Sequence, residues 1–176
     1  MTRFKHETAA LLARAKELLS YDPLTGDITR LVRRANQAAG SVAGYVNVKG
    51  YRQIEIDDQP ILAHRLAYAM HNNRWPGDII DHINGDKDDN RADNLRQCSN
   101  AENVRHRTRL NKNNTSGCAG VHYVALEGKW AARIKFNRRN ISLGRHSTFD
   151  AAVAARKEAE VKYFGAFAPG GRNGTA

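Results

Sequence analysis

The sequence predicts an α+β protein. It begins with an N-terminal helix and a small β-sheet that lead into a strand–loop–strand–helix unit. A basic linker follows, and then a three-stranded antiparallel sheet packed on one helix. Three observations predict this. Trp130, Ala132, Ile134 and Phe136 alternate with Ala131, Arg133 and Lys135, the period of a half-buried strand. Thr148 is placed to cap an alanine-rich helix over 149–164, with Gly165 just past its end. Between them and the N-terminus, β-branched Ile79-Ile80, a tight turn at Asn84-Gly85, and Leu95–Cys98 are followed by Ser99-Asn100-Ala101-Glu102. That last tetrad is a capping box with Ser99 as N-cap and Glu102 at N3.

Taken in order, residues 4–20 read as a helix with Phe4, Thr8, Leu11, Ala15, Leu18 and Leu19 on one face. Asp22-Pro23 and Thr25-Gly26-Asp27 end it. Short β-type runs follow at Ile28–Val32, Val42–Val48, Tyr51–Ile56 and Ile61-Leu62, parted by Lys49-Gly50 and Asp57-Asp58. A helix over about His64–His71 stops before Trp75-Pro76. His64 and Arg65 sit at its start, where helix-end packing or phosphate contact are the two readings. Ile79 and Ile80 end a strand at Asp81, and the capping box puts Asn103 in the first turn of the next helix. Ile141 and Leu143 alternate with Asn140 and Ser142, and Val121 and Tyr123 flank His122, as strands on either side of 130–136.

Charge points to a polyanionic partner. The 176 residues carry a net +10, and the basicity is uneven. Residues 111–176 hold 11 Lys/Arg against 4 Asp/Glu, a net of +7, whereas residues 1–110 hold 17 against 14, a net of +3. The stretch 105–118 is a polar, cationic connector in which 113–117 has nothing to bury, and the domain boundary is placed there, giving domains 1–110 and 111–176. Arg105, Arg107, Arg109 and Lys112 in it are either phosphate contacts or a solvated linker. Cys98 and Cys118 are too few for a disulfide framework or a four-cysteine zinc site, and fit a reducing cytosol. No run is long and apolar enough for a membrane span, and the N-terminus carries charges throughout, unlike a signal peptide. The acidic residues Asp86, Asp88 and Asp89 do not have the spacing of an EF-hand loop.

Asp81-His82, Asn94 and Asn103, within IIDHINGDKDDNRADNLRQCSNAENVRHR and after HRLAYAMHNNRWPGD, resemble the HNH nuclease motif in its His-Asn-Asn form. The resemblance implies a ββα-metal core over about 78–108. It implies that Asp81 and Asn103 hold one divalent cation, Mg²⁺ or Mn²⁺, through oxygen. His82 is then the general base and Asn94 the residue that fixes the loop so that the imidazole points at the phosphate. Residues 21–70 look like the sheet that precedes the motif in an HNH subfamily common in phages.

From Ser116 onward, the frame GV…GKWAARI…ISLG…F…AA…A…YFG resembles an AP2 (ERF-type) DNA-binding domain nearly end to end. This implies that the sheet face carrying His122, Arg133, Lys135, Asn140 and Ser142 enters the major groove, with Arg138 and Arg139 near phosphates. His122, Asn140 and Ser142 replace residues that are Arg or Trp in plant members, so the plant target sequence does not carry over.

The expected function is a metal-dependent homing-type HNH endonuclease that nicks double-stranded DNA, cytoplasmic and in the bacterial host if phage-encoded. No membrane or small-molecule substrate is expected, and a monomer is favoured. The alternative is a sequence-specific DNA-binding regulator with an inactive nuclease domain. An RNA-binding protein gains no support from any RNP-like or KH-type pattern.

Overall fold

Thr8 starts the first helix, its Oγ1 accepting from Leu11 N at 3.1 Å, so it caps the helix rather than lying on its apolar face. A computed structural model describes residues 6–106, 110 and 112–169, and the chain divides into two compact units, Met1–Ser99 and Asn100–Ala176. A boundary at 110/111 would count helix α3 with the first unit; this division counts it with the second. Phe4, Arg107 and Arg109 lie outside the described residues.

The first unit starts with α1 (Ala9–Leu18), shorter than the helix expected over 4–20. Leu19 turns extended, and β1 (Leu19–Tyr21) pairs antiparallel with β2 (Ile28–Arg30), Leu19 opposite Arg30 and Tyr21 opposite Ile28. Pro23 explains the early stop: it disfavours helix at Asp22, and pairing with β2 satisfies the backbone of 19–21 instead. The strand expected over 42–48 shrinks to β3 (Tyr45–Val46). Gly44 sits at φ +85, where a Cβ would lie 2.3 Å from Gln53 O, and Asn47 Oδ1 accepts from Lys49 N and Tyr51 N to close a turn. β3, β4 (Arg52–Ile56) and β5 (Gln59–Leu62) form an antiparallel sheet, against which α2 (Ala63–Asn72) packs. Ala15, Leu19, Ile28, Ile54, Ile56, Ile61 and Leu66 are the core that these elements share. A two-stranded ribbon of β6 (Ile79–His82) and β7 (Leu95–Cys98) completes the unit, with Asp81 opposite Arg96 and His82 opposite Leu95.

The second unit contains α3 (Asn100–His106), which begins directly after Ser99. β8 (Val121–Val124), β9 (Lys129–Phe136) and β10 (Arg139–His146) form an antiparallel sheet with β9 central. α4 (Phe149–Phe164) covers one face, capped by Thr148 Oγ1 accepting from Ala151 N at 3.2 Å. Val121, Ala132, Ile134, Ala152 and Ala159 are buried, with Trp130 edge-on to Phe149 at 4.9 Å between ring centroids. The small alanines let the helix lie close to the sheet.

Gly120 holds the start of β8 to β9. At φ +78 its carbonyl accepts from Arg133 N at 2.8 Å, and a Cβ there would meet Arg133 O at 2.3 Å and Arg156 Nη1 at 2.8 Å. Arg156 itself is buried and donates to Arg133 O at 2.7 Å and to Glu160 Oε1 at 2.9 Å, so it cannot retreat without losing both bonds. Gly120→Ala is therefore expected to destabilise the protein by about 2–3 kcal/mol. Calorimetry checks this, and an unchanged melting temperature would show that the close approach is not a constraint.

Candidate active site and nucleic-acid interface

The ribbon places Asp81 and His82 at the end of a strand whose successive side chains leave on opposite faces. Asp81 meets its cross-strand partner. Its Oδ2 accepts from Arg96 Nε at 3.0 Å and Nη2 at 2.8 Å, and both side chains are largely shielded from water. His82, 4% exposed, meets the start of α2: its ring lies 5.1 Å from that of His64, nearly perpendicular, with Tyr51 5.2 Å from His64 and 6.1 Å from His82. Lys87 Nζ stands 4.9 Å over the Tyr51 ring.

Asn90 decides which nitrogen of His82 is basic. Its Nδ2 donates to Asp88 O at 3.0 Å, so Oδ1 is the end turned to His82 Nε2, 3.4 Å away. An acceptor at Nε2 keeps the proton there and leaves Nδ1 with the lone pair. Burial pushes the His82 pKa down, against the opposing pull of the Asn90 hydrogen bond and of Asp81, Asp89 and Asp86. The ring is therefore a neutral base below its ordinary pH range.

Asn94 locks the loop that joins the strands. Its Oδ1 accepts from Asn84 N at 3.0 Å, its Nδ2 donates to Asp89 O at 2.7 Å, and its carbonyl accepts from Ile83 N at 2.9 Å. Asn84-Gly85 forms the expected turn, with Gly85 at φ +78. The loop is also held from outside the motif. Tyr21 Oη donates to Asn90 O at 2.9 Å, Ala92 N donates to Pro23 O at 3.0 Å, and Arg52 grips both oxygens of Asp88 at 2.9 and 2.8 Å. At Gly26, φ +82, a Cβ would lie 2.6 Å from Arg91 N. Sequence reasoning missed Asn90, Tyr21, Gly26 and Arg52. For Asn90 a signal was present: Asn84, Asn90 and Asn94 are three amides in an otherwise charged loop.

His64 and Arg65 have separate roles. Arg65 is buried and packs the helix start, with Nη2 on Glu7 Oε2 at 2.6 Å and Nη1 on Asp78 O at 2.8 Å. That leaves the chain entering β6 tied to α2. His64 Nδ1 is buried without a hydrogen-bond partner among the described residues, and burial, then His82 and Arg65, push its pKa down to about 3.

Among the described residues no group of three His, Cys, Asp or Glu side chains converges on a point, and Asp81 already neutralises Arg96. Of the two expected ligands the first unit supplies Asp81, which is ion-paired with Arg96, and its expected pairing with Asn103 rests on the sequence alone. Asn103 is half-buried on α3, in the second unit.

The sheet of the second unit brings the other expected residues together. Ser142 lies opposite Arg133 and Asn140 opposite Lys135, while His122 lies opposite Ala131, so all five share the face away from α4. All five are exposed. Asn137 and Arg138, both at positive φ, form the two-residue turn into Arg139, and these arginines are exposed too. Arg145, opposite Ala131, joins this face through a bulge after Ser142 and was not foreseen. Arg105 is engaged elsewhere: its guanidinium lies 4.9 Å over the Phe136 ring and donates to Asn137 Oδ1 at 3.3 Å. Lys112 lies in a turn and is exposed.

Residues 62–105 match the HNH endonuclease family. The match spans 44 of the 176 residues, from the last residue of β5 through most of α3, and supports a nuclease acting on DNA. No curated protein and no solved structure matches the chain. No helix among the described residues is long and apolar enough to cross a membrane.

Acid should weaken the first unit through His64. The folded protein keeps this ring neutral down to about pH 3, whereas the unfolded chain binds a proton near pH 6.5. The stability involved is complete above pH 6.5 and declines as pH falls from there toward 3, on the order of 5 kcal/mol in all. Urea unfolding at pH 7 and pH 4.5 should show a smaller acid loss in His64→Phe than in the parent. An equal loss in both proteins would assign the acid sensitivity to other groups.

Proposed function

We propose that the chain is an HNH endonuclease that cuts a phosphodiester bond of duplex DNA, with His82 as general base. The observation that carries this reading is the His82 ring, buried, held neutral and presented through Asn90 with Nδ1 as its basic atom. In this mechanism Nδ1 takes a proton from the attacking water, while Asn94 keeps the 83–94 loop, and so the imidazole, in register with the phosphate. Dependence on Mg²⁺ or Mn²⁺ is part of the proposal and comes from the resemblance of the motif. Asp81 is the proposed carboxylate ligand in the first unit and Asn103 the amide that the motif supplies. One site per chain makes nicking the default product, as in free-standing homing endonucleases.

The second unit supplies affinity in this reading, as an AP2-like module whose face bearing His122, Arg133, Lys135, Asn140 and Ser142 docks on DNA, with Arg138 and Arg139 near phosphates. Support comes from five exposed polar or cationic side chains aligned by strand register opposite the α4 face. The alternative, a DNA-binding regulator with an idle nuclease domain, draws on one observation: Asp81 is held by Arg96.

Supercoiled plasmid incubated with the full-length protein in Mg²⁺, Mn²⁺ or EDTA separates the two readings. Nicking is expected with either cation and not with EDTA, and His82→Ala should reduce the rate by about 10²-fold or more. Wild-type nicking by purified His82→Ala would falsify the base assignment, and no cleavage by the parent under any cation would favour the regulator. Arg133→Ala combined with Lys135→Ala should weaken duplex binding in EDTA and leave the melting temperature nearly unchanged. Undiminished binding would sink the docking face, and a large fall in melting temperature would make the two residues structural.

A further inference from the structure

We propose that Arg145 is a further phosphate-binding residue of the C-terminal sheet and that Glu127 masks it, so that duplex DNA must displace an internal carboxylate to engage it. This rests on the reading that the exposed sheet face docks on DNA.

Strand register places Arg145 on that face. It lies opposite Ala131, which also faces His122, while Ser142 lies opposite Arg133 two residues further along β9. The bulge between Ser142 and Arg145 makes this possible. Leu143 and Gly144 intervene, and Gly144 at φ +100 takes a backbone shape that lets Arg145 return to the face that Ser142 left. Ala131 carries only a methyl, so nothing bulky on β9 stands between Arg145 and His122.

Charge makes the pairing unusual. Residues 121–146 carry six Lys/Arg and a single carboxylate, Glu127. That carboxylate, in the β8–β9 connection, is ion-paired with Arg145 Nη1. Among the described residues, Arg133, Lys135, Arg138 and Arg139 have no such partner. Both members of the pair are nearly half exposed, at 48% and 43%, so water and salt screen the interaction and an incoming phosphate can replace the carboxylate. An arginine takes a phosphate through two parallel hydrogen bonds, as it takes a carboxylate. Glu127 therefore competes with phosphate for Arg145 and lowers the affinity that the face would otherwise have.

The test is duplex binding by the full-length protein in EDTA, followed by fluorescence anisotropy over a range of salt. Glu127→Gln is expected to tighten binding by up to about fivefold, the ceiling for an exposed ion pair. Arg145→Ala should weaken binding and reduce the slope of log affinity against log salt by about 0.9. In the Arg145→Ala background, Glu127→Gln should change affinity little. Equal tightening in both backgrounds would make Glu127 a general source of repulsion and overturn the masking. An unchanged slope in Arg145→Ala would overturn the phosphate contact. The Arg133→Ala, Lys135→Ala protein serves as the reference. If it binds weakly while Arg145→Ala binds normally, only this inference fails. If both bind normally, the docking face itself fails and takes the inference with it.

Discussion

The first unit depends on satisfying buried amides in the loop between β6 and β7. Asn90 and Asn94 are 2% and 5% exposed, and a buried amide that lacks partners at both ends costs on the order of 1–3 kcal/mol. Both are satisfied, and each solution fixes geometry. Asn94 ties Asn84 to Asp89 across the loop, and Asn90, held by Asp88, turns its oxygen to His82. The hydrogen bonds that satisfy these amides thus also help to orient the base, together with the His64 and Tyr51 rings packed against it.

What the sequence disclosed depended on how local each determinant was. Helix α4 was legible at both ends because Thr148 and Gly165 act within a turn of where they sit. Strand β9 was legible because alternation is written in consecutive residues, and the face shared by His122, Arg133, Lys135, Asn140 and Ser142 follows from it. Helix α1 was overread at both ends. Leu19 fits an apolar helix face as well as it fits a strand, and only its pairing with Arg30 decides. Val42–Val48 carries four strand-favouring residues, yet Gly44, whose backbone is pressed on Gln53, and the turn at Asn47 leave pairing to two residues. Asp81 and His82 were legible as a motif, whereas Arg96 as the partner of Asp81 needed the register of the ribbon.

The second unit shows the same economy in its sheet. Arg156, buried beneath the face it does not belong to, donates to the carbonyl of Arg133, whose side chain points the other way. One arginine is used to hold the backbone of another. The exposed cations on β9 can therefore remain available to a partner, because the strand beneath them is secured by α4 rather than by their own side chains.

Tyr21 ends β1 and Pro23 and Gly26 lie in the short turn to β2, yet their contacts lie about 65–70 residues away, on Asn90–Ala92. Residues 62–105 carry the whole loop but none of these three supports. Moved alone, that segment would leave behind the hydroxyl, the carbonyl and the bare α-carbon on which its loop rests. The structural unit of this centre is thus the whole run from the first hairpin onward. A cut made between the two would separate a motif from its mould.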